Sequence, residues 1–327
     1  MSTIHDPVYG QVELNEPILL ALLQSAAVQR LRGVLQHGIT GLLRITTPIT
    51  RFDHSVGVML LVRRLGGSLD EQIAALLHDI SHTAFSHVID YVFDNHDGQS
   101  YHEEVKEAFV ARSDLPQLLA QWGRDWRDFM DEAAFPLLEQ SAPALCADRL
   151  DYCLRDSQDL GLATTAQVHR ALDHLVVRDG RVAVDDVGVA RWLADVYMMA
   201  DNCSWADFRE VGLYELTARA IRRALEVGVL TEDDFWLTDE VVWARMQESQ
   251  DAPLQDLLCL VHPGTRFIRD EAAPSFTIST KIRTIDPDVW QNGHLLPLSA
   301  LDADFAARRR AYLARKQGKW PMRVIPQ

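Results

Sequence analysis

A run of apolar residues, Ile73, Ala74, Leu76 and Leu77, leads directly into an adjacent imidazole and carboxylate, His78 and Asp79. No other feature of the sequence restricts the fold as strongly. Neighbouring residues on a helix project about 100° apart, so His78 and Asp79 cannot both face a core in the ordinary way. They can both reach one ion lodged beside the end of the helix. Further histidines crowd around them. The segment Arg51-Phe-Asp-His54 precedes the doublet, and His82, His87 and His102 follow it, so these five of the twelve histidines fall within a few dozen residues. Neutral imidazoles and carboxylates are the usual ligands of Mn, Fe, Co, Ni or Zn. His54 from the preceding helix and Asp148 from a later one would close a site with His78 and Asp79. Such a site would leave positions for water and for a phosphate oxygen, as hydrolysis requires.

The remaining periodicity predicts a mainly α chain. Glu16 to Val34 reads as one helix, Gly38 to Pro48 as an irregular connection, and His54 to Arg64 as a helix stopped by Gly66-Gly67. Ser68 caps the next helix, with Glu71 completing a capping-box pattern. Ala84 to Phe93, His102 to Arg112, Leu115 to Gln121, a helix from Ala142 through Asp148 to Asp156, and Arg191 to Val227 are also read as helical. Leu175 to Val189, turning at Asp179-Gly180, is a small β-hairpin. After about residue 235 the prolines multiply, and Phe276 to Ile285 reads as a strand. The expected organisation is a helical domain over 1–235 and a small mixed C-terminal lobe over 236–327. The basic stretch from Arg308 to Lys319 reads as a solvated helix face.

Composition narrows the partners. The formal net charge of -15 argues against nucleic acid and against an anionic membrane surface. A small anionic ligand is still compatible if cations converge locally. No stretch approaches the ~20 apolar residues of a membrane span, and the start Met-Ser-Thr-Ile-His-Asp-Pro lacks a signal-peptide pattern, so a cytoplasmic protein is expected. Cys146, Cys153, Cys203 and Cys259 form no C-x-x-C pair, and they read as reduced, largely buried thiols.

The order H…HD…D resembles the HD-domain superfamily of metal-dependent phosphohydrolases, and more of the chain resembles its dNTP triphosphohydrolase branch. The matching segments are Asp6 to Leu14, Gln29-Arg-Leu-Arg32 with Gln36, Arg51 to Gly57, His78 to His87 with Asp90, His102-Glu103, and Asp148 to Asp156. The resemblance covers about residues 4 to 160 and implies an HD-type helical bundle. It further implies one divalent transition metal on His54, His78, Asp79 and Asp148, with Mg a candidate on the substrate's phosphates. By the same resemblance Arg51 binds phosphate, and His82, His87 and His102 line the phosphate site. His87 is then the proton donor to the leaving oxygen, with Asp90 and His102 beside it. Gln36 contacts the sugar 3′-hydroxyl, Tyr152 and Asp156 belong to the sugar pocket, and Arg149 stands for a lysine. Asp148, Tyr152 and Asp156 recur every fourth residue, which places them on one helix face.

The chain departs from that branch downstream. Cys203 stands where an arginine for the phosphate tail is expected, and Val211-Gly212 where a tyrosine-glutamine pair is expected, with Arg209 a turn away. Ser2, His5 and Gln24 replace three residues of the branch's nucleotide activator site, although Gln29 and Arg32 fit it. The expected activity is nucleotide hydrolysis, first of a dNTP to deoxynucleoside and triphosphate. A nucleotidase or phosphomonoesterase acting on a smaller phosphorylated metabolite and a non-catalytic nucleotide sensor are the alternatives. The histidine spacing fits the mononuclear pattern better than that of a di-iron oxygenase. Homo-oligomers are compatible with the sequence, which specifies none.

Overall fold

The computed structural model describes residues 2–325. Its centre is the antiparallel pair Arg51–Arg64 and Leu69–Leu77. Thr50 and Asp53 exchange side-chain and backbone hydrogen bonds as a capping box at the start of the first helix. From Arg51 to Val62 every residue except Asp53 is buried, as expected of a helix enclosed on all sides. Gly66, at φ +82°, ends it, and the Ser68 hydroxyl accepts from the Glu71 N–H at 3.1 Å to start the second. Leu77 is the last residue of that helix, so His78 and Asp79 sit at its C-terminal end, beside the bundle axis.

Three further helices build the site around this pair. Ala147–Asp159 carries Asp148, Asp151, Tyr152 and Asp156. Val187–Ala200 leads through a π-turn at Asp201–Trp205 into Phe208–Glu226. The N-terminal hairpin, Ser2–Asp6 with Gly10–Leu14, docks onto Ala147–Asp159: Arg155 donates to Asp6 Oδ2 at 3.0 Å and the Tyr9 hydroxyl to Asp151 Oδ1 at 2.9 Å. Gly57 permits the close approach of Ala147–Asp159 to Arg51–Arg64. A Cβ there would lie 2.1 Å from both Arg155 Nη2 and Asp151 Oδ1.

Several expected boundaries move, each for a local reason. Glu16 to Val34 is not one helix. It breaks after Leu23, because the Ser25 hydroxyl and the Asp114 carboxylate cap the N–H groups of a second helix, Ala26–Arg30. Gly38–Leu42, expected to be irregular, is a short helix. The helix bearing Asp148 starts at Ala147 rather than Ala142. Arg191 to Val227 is interrupted where Asp207 caps the second helix. The expected hairpin forms as Leu175–Arg178 with Arg181–Val184 but stops short of Val189, because Asp186 caps the helix from Val187; Asp288–Gln291 and His294–Pro297 extend it into a four-stranded mixed sheet. The predicted strand Phe276 to Ile285 stops at Ile278. Beyond it the backbone is irregular, because Arg283 N–H donates to the Asp201 carboxylate at 3.1 Å instead of to a neighbouring strand. Cys146 and Cys153 are buried, but Cys203 and Cys259 are exposed, so only half the thiols behave as expected.

The apolar interior forms two clusters. One surrounds the central helix pair, and the other packs Ala84–Val92 against Phe208–Glu226. Segments after residue 235 supply side chains to both, including Val289 and Phe305 to the first and Phe276 and Met322 to the second. No helix among the described residues is long and apolar enough to cross a membrane.

Candidate metal centre and its cavity

A cavity of about 650 Å³ opens beside the end of Leu69–Leu77. Gln36, Arg51, His78, Asp79, His82, His87, His102, Asp148, Arg149, Tyr152 and Asp156 all line it. His54 and Asp90, the other residues singled out in the sequence, stand directly behind Asp148 and His87.

At one end four polar side chains converge. His54 Nε2 lies 3.0 Å from Asp148 Oδ1, 3.2 Å from His78 Nε2 and 3.6 Å from Asp79 Oδ2. His78 Nε2 lies 3.5 Å from Asp148 Oδ1 and 3.6 Å from Asp79 Oδ1. The other ring nitrogens are committed elsewhere. His78 Nδ1 donates to the Ala75 carbonyl at 2.7 Å, and His54 Nδ1 donates to Asp151 Oδ2 at 2.8 Å. A carbonyl can only accept, so the proton of a neutral His78 resides on Nδ1. With both rings neutral, two Nε2 lone pairs and two carboxylates would face one point, an arrangement that calls for a cation. The donor set, the separations and the outer hydrogen bonds all suit a divalent transition ion.

The electrostatics agree. Burial opposes charge on His54, but hydrogen bonds to Asp148 and Asp151 and the charge of Asp79 outweigh it and lift its pKa to about 10. His78 is raised too, against burial, chiefly by Asp79 and Asp148. Asp148 is held below the ordinary carboxylate range by the two imidazoles, despite burial.

The opposite pole begins at Arg51, which donates to Asp79 Oδ2 at 2.7 Å and to the Ser86 hydroxyl at 3.0 Å. Ser86 and Phe85 both have positive φ, 50° and 61°, a strained pair of turns of the kind that clusters at functional sites. Asp239 holds that turn by accepting from the N–H groups of Leu35 and Phe85 at 3.0 and 2.8 Å. Gly38 passes so close to Phe85 O that a Cβ would lie 2.3 Å from it.

Beyond Arg51, the His82 ring stacks on His102 at 4.0 Å, and His87 meets both edge-on at 5.0 and 5.5 Å. Nitrogens of these three rings lie within 4.8 Å of one another. Their surroundings are cationic. Burial and Arg51 push His82 down to about 3, against the pull of Asp79. Burial, Arg51, Arg283 and Lys281 hold His87 well below the ordinary imidazole range. This half of the cavity therefore suits an anion rather than a second metal ion. A third candidate cluster, Glu139, Cys146 and Asp148, already has its cation: Arg149 donates to Glu139 at 2.6 Å and to the Cys146 sulfur at 3.1 Å.

A carboxylate beside an imidazole ordinarily favours its charged form, but Asp90 does not hold His87 charged. Asp90 Oδ2 does lie 3.0 Å from His87 Nδ1, but burial raises Asp90 itself to about 6, and the neighbouring cations leave His87 neutral. Arg209 does not replace the missing arginine, because its guanidinium turns away to the Pro263 carbonyl. Gly212 packs against the Phe267 ring, and Cys203 is exposed. The Arg308 to Lys319 stretch is only partly a solvated face, since Arg309 lines the cavity.

The third wall is aromatic. The Tyr152 and Tyr197 hydroxyls are hydrogen-bonded to each other, and Trp205 meets the Tyr152 ring edge-on at 4.9 Å. Asp156 is buried here rather than lying on the surface, and it accepts from Trp205 Nε1 at 2.6 Å. His37 lies 3.4 Å from Asp156 and 3.7 Å from Glu210. Among the described residues Asp156 Oδ1 and Gln36 Oε1 have no hydrogen-bond partner.

The sequence reading missed His37, Asp151, Tyr197, Trp205, Glu210, Lys281, Arg283 and Arg309. Asp151 was visible as a carboxylate three residues after Asp148 and four before Arg155. The others come from segments whose folding together no local pattern announces.

The comparisons with known proteins fit this geometry. The family model described as "HD domain" matches residues 51–156. The chain is 37% identical over 319 residues to the metal-dependent phosphohydrolase cns2 of Cordyceps militaris, covering 95% of this chain and 92% of that protein. It is 40% identical over 288 residues to the uncharacterized protein YdhJ of Bacillus subtilis, covering 88% of each. A shorter match, 36% over 108 residues, links 28% of the chain to 17% of the deoxynucleoside triphosphate triphosphohydrolase SAMHD1 of Danio rerio. The crystal structure of a phosphohydrolase from Bacteroides thetaiotaomicron shares the fold, with a TM-score of 0.71 at 16% identity and full coverage of both chains. The chain therefore belongs to the HD-domain metal-dependent phosphohydrolases.

Proposed function

We propose that the chain hydrolyses the phosphate ester of a nucleotide, with His54, His78, Asp79 and Asp148 as metal ligands. The observation that carries this reading is the division of one cavity into a pole that attracts a cation and a pole that attracts an anion, with Arg51 at the junction. A divalent ion bound at the first pole would supply Lewis-acid polarisation of a phosphoryl oxygen and a more acidic water.

The chain's own residues do the rest. Asp79 and Ser86 fix Arg51 so that its guanidinium meets phosphate oxygens in a set orientation. His82 and His102, neutral and stacked, add donors without adding charge. His87 is the proton donor to the leaving oxygen. It is neutral in the resting cavity, and an incoming phosphate offsets the cations that keep it so. Substrate binding thus raises the proton affinity of His87 where the proton is needed. Tyr152, Tyr197 and Trp205 enclose the nucleoside, and Gln36 and Asp156 accept from its hydroxyls.

The first substrate reading is a dNTP. Water attacks the α-phosphorus, the bond to the 5′-oxygen breaks, that oxygen takes the proton, and deoxynucleoside and triphosphate leave. The partial likeness to the zebrafish triphosphohydrolase supports it. The absence of the expected arginine at Cys203 favours the second reading, a phosphomonoesterase on a nucleoside monophosphate or a smaller phosphorylated metabolite. Incubating the metal-loaded protein with dNTPs, NTPs and nucleoside monophosphates, and resolving the released triphosphate, pyrophosphate and phosphate, decides between them. Release of inorganic phosphate alone would eliminate the triphosphohydrolase reading.

A further inference from the structure

One wall of the cavity is more cationic than a single phosphoryl group requires. Lys281 and Arg283 lie on the irregular segment after Ile278, and Arg309 lies on the helix Ala303–Lys316. Among the described residues none of the three has a carboxylate within ion-pair distance. Arg283 donates to the Gln99 side-chain oxygen, Arg309 to the Thr284 hydroxyl at 3.0 Å, and Lys281 reaches only the Gly98 carbonyl at 3.4 Å. The other cations of the cavity are paired, Arg51 with Asp79 and Arg149 with Glu139. In a chain of formal net charge -15, three cations left without acidic partners on one wall need an explanation.

The wall is also built rather than incidental. Arg283 N–H is held by Asp201, whose other oxygen accepts the Tyr312 hydroxyl at 2.6 Å. The Arg309–Thr284 bond ties the same segment to the C-terminal helix. This fixes where the charges stand before any ligand arrives, which limits the ordering cost of binding.

We propose that Lys281, Arg283 and Arg309 form an anion subsite that selects substrates bearing charge beyond the reacting phosphoryl group, as the remaining phosphates of a nucleoside polyphosphate do. The inference rests on the phosphohydrolase reading for which end reacts. Arg51 and the metal pole meet the reacting phosphoryl, and further phosphates meet the three unpaired cations. All three lie outside residues 51–156 and outside the segments that carry the dNTP triphosphohydrolase resemblance. The subsite thus supplies from the C-terminal part of this chain what Cys203 and Arg209 do not supply.

The test is binding, read by calorimetry on the metal-free protein with inorganic phosphate, pyrophosphate and tripolyphosphate. Affinity is expected to rise with chain length and to weaken with salt. The double variant Lys281→Ala/Arg283→Gln is expected to weaken tripolyphosphate by about tenfold or more and phosphate by less than about threefold. Lys281→Ala and Arg309→Ala alone, which disturb the wall less, are expected to lower tripolyphosphate affinity and flatten its salt dependence. Equal affinity for the three anions in the wild type, or tripolyphosphate binding unchanged in both single variants, would overturn the subsite. Nucleotide turnover whose KM ignores Lys281→Ala would likewise overturn it while leaving the phosphohydrolase reading intact. Binding of tripolyphosphate that depends on these residues, with no nucleotide turned over, would do the reverse. Tighter binding of nucleoside triphosphates than of tripolyphosphate would assign the subsite to nucleotides rather than to free polyphosphate, and the opposite order would overturn that assignment.

Discussion

His54 donates from Nδ1 to Asp151 Oδ2 across 2.8 Å, and Asp151 is in turn fixed by Arg155 and by the Tyr9 hydroxyl of the N-terminal hairpin. The N-terminal hairpin therefore helps orient His54, one of the proposed metal ligands. Asp151→Asn keeps the shape but weakens the acceptor that sets the His54 tautomer. Metal should still bind, with affinity lowered ~10–100-fold, the usual cost of losing such a partner. Chelator competition measures this, and an unchanged affinity would refute the role given to Asp151.

Metal and protons compete for the same atoms. In the metal-free site burial disfavours a charged His54, yet Asp148, Asp151 and Asp79 raise it to about 10, so near neutral pH the ring holds a proton that an ion must displace. The 3.2 Å between His54 Nε2 and His78 Nε2 leaves room for one proton rather than two. Metal affinity should therefore rise by about tenfold per pH unit between pH 7 and 9, with about one proton released per ion. Calorimetry in buffers of different ionisation enthalpy counts the proton. A pH-independent affinity would contradict this account.

Replacing His87 by Ala should leave metal bound and slow turnover by ~10²–10⁴-fold, the usual scale for a lost general acid. The loss should shrink for a substrate whose leaving group needs no proton, such as a nitrophenyl ester, and that difference separates an acid from a structural residue. An equal loss on both substrates would move the role to another histidine.

These assignments show which parts of the site were legible in the sequence. The convergence of His54, His78, Asp79 and Asp148, the proposed ligands, was, because His78-Asp79 interrupts an apolar helix and Asp148, Tyr152 and Asp156 keep a helical spacing that survives folding. The helix pair around Gly66-Gly67 was legible for the same reason. The His37–Asp156–Glu210 contacts were not, because they join residues more than a hundred positions apart with no shared period. Lys281 and Arg283 were hidden differently. Their segment alternates like a strand, but Asp201 takes the Arg283 N–H and pulls the backbone out of any sheet. Side-chain capture of backbone groups, by Asp114, Asp201 and Asp207, accounts for several of the misplaced boundaries.

His37 gives a stability prediction that does not involve the metal. Burial alone would lower its pKa, but Asp156 and Glu210 outweigh burial and raise it to about 10. An unfolded imidazole titrates near ~6.5. Below that pH both states carry the proton, and the full contribution of the buried imidazolium is present. As pH rises from 6.5 toward 10 the unfolded chain loses its proton while the folded one keeps it, so this contribution falls by up to about 1.4 kcal/mol per pH unit. Denaturant titrations of the wild type and His37→Gln at pH 6, 7.5 and 9 isolate the effect, because other titrating groups are common to both. The variant should be less stable at pH 6, since Asp156 and Glu210 lose their cation, and the gap should narrow with rising pH. A gap that stays constant would show that His37 is not held charged between the two carboxylates.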